Sequence, residues 1–238
     1  MRPDAVRSAL DVELAAARAR RGGDQPRVLD VGGGSGVFAV PMAQAGCAVT
    51  VVEPNPNALA TLHRRATDAG VADRIVAVQA DSDVLATVVP DADADVVLAH
   101  GLLEVVDDPK ATVAALVGAV RPGGVVSVVV ANRYSAVLHR ALAGKLAEAR
   151  RVLVDPAGRT EDEALLRRFD VDALTALLVD AGLTVEVLQG AGALADLVPG
   201  SVLEASQEAL AELELVAATT PALRAIASRL HAVARRPA

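Results

Sequence analysis

The 238-residue chain contains one cysteine, no tryptophan and only three aromatic side chains, Phe38, Tyr134 and Phe169. A lone cysteine excludes an intramolecular disulfide and any cysteine-rich zinc site, and it suits a reducing cytoplasm; no metal ligands are singled out in the sequence. Cys47, between Gly46 and the apolar run Ala48–Val52, reads as a small buried residue. So few rings leave little for a base-stacking platform of the kind that single-stranded RNA readers use. Basic charge is also short: 23 Lys and Arg stand against 30 Asp and Glu, a net charge of −7. That balance argues against a protein that coats nucleic acid non-specifically. No apolar run approaches the ~20 residues of a membrane span. The opening MRPDAVRSALDVEL lacks the apolar stretch of a signal peptide, so the expectation is a cytoplasmic protein without a membrane partner.

Apolar side chain is abundant, at 53% of residues, and it is regularly spaced. Short apolar runs read as strands at Arg27–Val31, Ala48–Val52, Arg74–Gln79, Asp95–Ala99 and Val125–Val130, the last after an Arg121-Pro-Gly-Gly124 turn. Helical periods separate them at 4–20, Val37–Gln44, Pro56–Ala69 and Pro109–Val120. Further helices are expected at Ser135–Arg151, Val171–Ala181 and Ser201–Ala217, with strands at Leu183–Leu188 and Ser228–Arg235. Continuous apolar strands alternating with helices require a sheet covered on both faces. The expected fold is α/β: a doubly wound, mostly parallel seven-stranded sheet ending in an antiparallel C-terminal strand. One domain over 1–238 is expected, with a helical and loop segment on the substrate side at about 133–170. The high apolar fraction points to a homodimer.

The densest signal is Asp30-Val-Gly-Gly-Gly-Ser-Gly36, which follows the first strand and opens a helix. A phosphate-binding Walker loop would need a Lys-Ser/Thr pair that is absent, and the dinucleotide fingerprint would need glycine at Val37. The spacing is Asp30-x-Gly32-x-Gly34-x-Gly36. Glu53 ends the second apolar strand, 17 residues after Gly36. A carboxylate there can accept from both hydroxyls of a ribose, which indicates an adenosine without choosing the cofactor.

The glycine spacing resembles the loop of class I S-adenosylmethionine (SAM)-dependent methyltransferases. The resemblance implies SAM as cofactor, with Asp30, Gly32, Gly33, Gly34 and Gly36 beneath its methionine part. It also implies Asp81, with Ser82 beside it, at the adenine; Asp83 reads as a helix N-cap. The stretches HGLLEVVDDP and RPGGVVSVVVANRYSAVLHRALAG are similar to a narrower group, the tRNA 5-carboxymethoxyuridine methyltransferases. Shared features are His100-x-x-Leu103-Glu104, Asn132, His139 and Gly144, and the tail LAELELVAATTPALRAIASRLHAVARRP is similar too. That resemblance adds Arg7 and His100 to the cofactor contacts. It implies methylation of a carboxylate on a tRNA wobble uridine, with His100, Asn132 and Tyr134 positioning the reactants. Arg133, Tyr134, His139, Arg150 and Arg151 are the candidates for holding the acceptor.

Two features depart from that group. Gly190-Ala-Gly-Ala-Leu194 has neither the arginine nor the aromatics its relatives tend to carry. The basic run Lys145, Arg150, Arg151, Arg159, Arg167 and Arg168 is interleaved with Glu148, Asp155 and Glu161–Glu163. The alternatives are therefore a methyltransferase for a small metabolite and a SAM-binding protein without catalysis.

Overall fold

The computed structural model describes residues 5–89, 93–159, 166–198 and 205–238. Glu161–Glu163, residue 4 of the expected first helix and residues 201–204 of the expected helix at Ser201 lie outside the described residues.

Strands β1 (Arg27–Val31), β2 (Ala48–Val52), β3 (Ile75–Val78), β4 (Ala94–His100), β5 (Val120–Ala131), β6 (Thr184–Ala191) and β7 (Arg229–Arg235) form one sheet. Their order is β3-β2-β1-β4-β5-β7-β6, and β7 alone runs antiparallel to its neighbours. Alternate residues of each strand serve two cores. Leu29, Val97 and Val128 pack with helices α4 (Leu85–Val88), α5 (Pro109–Ala119) and α8 (Val171–Asp180). Val28, Val49, Leu98 and Val129 face α1 (Ala5–Arg20), α2 (Ala39–Gln44) and α3 (Pro56–Asp68). The chain winds from β1 outward to β3, then returns to place β4 on the other side of β1. That reversal opens a crevice beyond the carboxyl ends of β1 and β4.

The opposite end of the sheet is closed by charge. Asp95, fully buried, accepts from Arg21 Nε at 2.5 Å, Arg121 Nη1 at 3.3 Å and the Arg27 amide at 2.8 Å. α1 is tied down where Arg235 Nη2 reaches both Glu13 oxygens, at 2.9 and 3.0 Å.

Several boundaries differ from expectation, each for a local reason. The Arg121–Gly124 turn lies within a longer β5, whose pairing shifts register between Ala94 and Val96 to absorb the extra residues. The expected helix Ser135–Arg151 divides at Gly144, φ +75°, into α6 (Arg133–Leu142) and α7 (Leu146–Val154). Among the described residues, the remaining α-helices are α9 (Gln207–Thr219) and α10 (Pro221–Ile226). α4 and α10 have four and six residues, too short to show a helical period.

Candidate functional site

The crevice floor is the turn between β1 and α2. Gly32 has φ +71° and donates its amide to the Val52 carbonyl at 2.8 Å, which hooks the turn over the end of β2. The same φ sign recurs at Gly34 and Gly36, where an L side chain is strained. Gly33 is required for a different reason. A Cβ there would lie 2.7 Å from the Asp30 carboxyl and 2.8 Å from Val51 Cγ1. The loop thus rests directly on Asp30.

Asp30 itself is 2% exposed, and its Oδ2 is buried without a hydrogen-bond partner. Burial, aided by the nearby Glu53 charge, raises its pKa from 3.8 to about 7. The folded protein therefore holds this proton more tightly than the unfolded chain. Stability contributed by the protonated carboxyl is full below pH 4 and is lost as pH rises through 7. The difference corresponds to roughly 4 kcal/mol. Asp30→Asn is expected to flatten the unliganded protein's stability between pH 4 and 8 and to raise its urea midpoint at pH 8. Equal pH dependence in the two proteins would show that Asp30 does not titrate in that range.

Glu53 ends β2 and curls back over the loop. Its Oε2 accepts from the Gly34 amide at 3.0 Å and its Oε1 from the Asn55 amide at 2.9 Å. Beside it lies a cavity of about 180 Å³ lined by Gly32, Val52, Asp81, Ser82, Leu102 and Val106, among others. Asp81 is exposed and accepts from Ser82 Oγ at 3.1 Å. It occupies the N-cap position of the 3₁₀ turn Ser82–Val84, so Asp83 lies inside the turn and is not the cap that the sequence suggested. The glycine loop, Glu53, Asp81 and Ser82 are therefore brought together. Arg7 is not among them. It lines a separate small cavity with Leu10, Phe38 and Met42, and its Nε is 4.0 Å from Asp11.

His100, the last residue of β4, packs edge-on against Phe38 at 4.4 Å between ring centroids. Its Nε2 is 2.8 Å from Ser127 Oγ, and Nδ1 is buried without a partner. Burial, with smaller contributions from His231 and Arg229, lowers its pKa to about 3, so the ring is neutral at ordinary pH.

The substrate side differs most from the sequence reading. Asn132 is spent internally: Nδ2 donates to the Ala225 and Ala227 carbonyls at 2.9 and 2.8 Å, and Oδ1 accepts from the Tyr134 amide at 3.0 Å. It caps α6 and ties it to the turn before β7. Asn132→Ala is expected to cost about 2–4 kcal/mol of stability, because buried partners lose their bonds. Function per folded molecule should be unchanged; a selective loss in the folded fraction would restore a positioning role.

Arg133 pairs with Asp170, donates to the Asp155 carbonyl at 3.3 Å and lies 5.2 Å over the Tyr134 ring. Tyr134 is 38% exposed and His139 is half-buried on α6. The basic run is not one surface. Arg167 donates to the carbonyls of Leu103, Val106 and Asp107, at 3.0–3.4 Å, fixing the loop after β4. Arg168 is buried and donates to the Gly158 carbonyl at 2.8 Å, while Arg150 and Arg151 are exposed on α7. After β6, the amides of Ala193, Leu194 and Ala195 donate to the Glu214 carboxylate at 2.6–2.9 Å. Glu104 likewise faces inward, accepting from the Ala131 amide at 2.6 Å. Burial raises its pKa, against the opposing pull of Arg229 and that amide. Arg167, Ser127 and His231 carried no local signal, since their partners are between 27 and 104 residues distant.

A glycine turn after β1, an acid ending β2 and an acid after β3, all around one crevice at the strand-order reversal, define a Rossmann-like doubly wound fold. A family model described as a methyltransferase domain matches residues 6–188, and the chain belongs to that family. It is 31% identical over 126 residues to the tRNA 5-carboxymethoxyuridine methyltransferase of Escherichia coli K12, covering 53% of this chain and 48% of that protein. The match thus spans about half the length of that relative. A ubiquinone biosynthesis O-methyltransferase of Pseudomonas fluorescens Pf0-1 is 33% identical over 166 residues, covering 69% and 67%. SAM-dependent methyltransferases from Methanosarcina mazei and Mesorhizobium loti share the fold, each with a TM-score of 0.61, at 17% and 19% identity. The first match covers 90% of this chain and 93% of that structure; the second covers 98% of each. Among the described residues, no helix is long and apolar enough to cross a membrane and no cluster suits a metal ion.

Proposed function

We propose that the chain is a SAM-dependent methyltransferase. The observation that carries this reading is the joint packing of Asp30, the glycine loop and Glu53 beside the Asp81 cavity. The residues present fit the cofactor. Glu53 offers two carboxylate oxygens where a ribose would lie, and Asp81 offers an acceptor for the adenine amino group. Gly34 and Gly101 have open space where a Cβ would stand, so the backbone can be approached closely there. Asp30, with its unpartnered buried oxygen, supports the loop from below. When bound, SAM supplies a methyl group already activated on its sulfonium. The chain's contribution is then to hold the two reactants in line and exclude water. An acceptor carboxylate is already ionised at pH 7 and needs no general base.

For the acceptor, a small molecule is the reading that the substrate side favours. Arg133, Arg167 and Arg168 are engaged with the protein itself, and the loop after β6 is fastened to Glu214. A tRNA wobble uridine is the second reading, supported by the 31% identical relative and by exposed Arg150 and Arg151. The homodimer expected from composition finds support in Leu142, Leu146 and Val154, each about two-thirds exposed; sedimentation would test it.

Transfer of labelled methyl from SAM to bulk tRNA and to a small-molecule extract separates these readings. The small-molecule reading predicts label in the extract and no loss of a methylated wobble uridine in a deletion strain. Loss of that nucleoside would overturn it. So would tRNA binding that weakens steeply with salt and disappears when Arg150 and Arg151 are neutralised. SAM binding without transfer to either would mean a protein that binds the cofactor and does not catalyse.

A further inference from the structure

Four polar side chains run across the sheet beneath α1, among buried apolar residues that include Val28, Leu98, Val125 and Val233. His100 on β4, Ser127 on β5, His231 on β7 and Gln189 on β6 belong to four successive strands. Ser127 and His231 are completely buried and Gln189 nearly so. The links are short: Gln189 Nε2 to His231 Nδ1 is 2.8 Å, His231 Nε2 to Ser127 Oγ is 2.9 Å, and Ser127 Oγ to His100 Nε2 is 2.8 Å.

The chain of bonds has a direction. An amide nitrogen only donates, so His231 Nδ1 accepts and the single ring proton of His231 lies on Nε2. That N–H donates to Ser127 Oγ, leaving the serine hydroxyl hydrogen for His100 Nε2. The His100 ring proton is therefore on Nδ1. Both rings carry only one proton, because burial lowers their pKa values to about 3 and about 4. His100 Nδ1 is the end of the chain, closed to solvent and unpaired.

We propose that Gln189, His231 and Ser127 are positioning residues that fix His100 as its Nδ1–H tautomer, a neutral donor for a carboxylate oxygen bound at the end of β4. The ligand in this inference rests on the proposed methyltransferase reading; the tautomer does not. A fixed N–H accepts nothing, so it discriminates against an ammonium or amide hydrogen at the same point and favours an anionic oxygen. Two carboxylates could fill the position, the methionyl end of the cofactor and that of a methyl acceptor.

Long-range ¹⁵N–¹H spectra of histidine-labelled protein read the tautomers directly, with His63→Gln and His139→Gln variants simplifying assignment. The expected wild-type pattern is protonated Nδ1 for His100 and protonated Nε2 for His231. His231→Gln retains a donor toward Ser127 and an acceptor toward Gln189, and should preserve the His100 pattern. His231→Leu should let the Nε2–H form of His100 rise to about half, raising about twofold the Kd of whichever of these two carboxylates His100 meets. His100→Phe keeps a ring against Phe38 but no donor, and should weaken that same ligand about 10- to 100-fold. A wild-type His100 protonated on Nε2, or an unchanged tautomer in His231→Leu, would overturn the proposal.

Two further arms identify the carboxylate. A shift of the His100 Nδ1 signal with S-adenosylhomocysteine, absent with 5′-methylthioadenosine, assigns the cofactor. A shift appearing only when a carboxylate acceptor is added assigns the acceptor. Failure of S-adenosylhomocysteine to bind wild-type protein would overturn the methyltransferase reading and leave the tautomer result intact.

Discussion

Gly33→Ala is expected to lose cofactor binding and about 1–3 kcal/mol of stability together. The added methyl would stand 2.7 Å from the Asp30 carboxyl and 2.8 Å from Val51 Cγ1, both on buried strand residues. Neither is the free end of a long side chain, so the loop has to lift. Lifting it draws the Gly34 amide from Glu53 and spoils the surface on which the cofactor would lie. Gly70→Ala, at the end of α3 and away from the crevice, is the matched control. Its Cβ enters open space, so its cost is the strain of φ +69°, about 1–2 kcal/mol. Titration with S-adenosylhomocysteine and urea unfolding of both variants checks this. A Gly33→Ala protein that keeps wild-type affinity would show that the loop need not rest on Asp30.

Glu53→Ala carries the second large effect. Hydrogen bonds to a charged acceptor contribute about 1.5–3 kcal/mol each, and two ribose hydroxyls would use both oxygens. The Kd for S-adenosylhomocysteine is expected to rise at least about 100-fold, with Glu53→Gln between the two. Glu53 also helps raise the Asp30 pKa. Its removal should therefore move the fall in stability to lower pH than in the wild-type protein. Binding that stays tight in Glu53→Ala would remove the ribose role, whatever the pH profile does.

These effects fall on residues that the sequence already singled out, and the reason is local. A glycine cluster at a strand end, an acid closing the next strand and an acid after the third are each defined by neighbours in the chain. Their convergence follows once the strands are parallel and adjacent, as the apolar runs require. The acceptor side has no such local code. Asn132 and Arg133 were readable as a motif after β5, yet one caps a helix and the other pairs with Asp170. Arg167 and Arg168 read as exposed basic charge until the fold turned them toward backbone carbonyls.

The sequence by itself determined the sheet class, the strand-to-helix turn and the acids that close the crevice, because strand pattern and glycine spacing act within a few residues. Tertiary structure alone decided that Arg7 lies apart from the Asp81 cavity and that the basic run is divided. It also set His100 at the end of a bonded chain through Ser127, His231 and Gln189. The partners in that chain are 27, 104 and 42 residues apart. Only the order β4-β5-β7-β6 makes them neighbours, and a hydrogen bond has no reach beyond its neighbour.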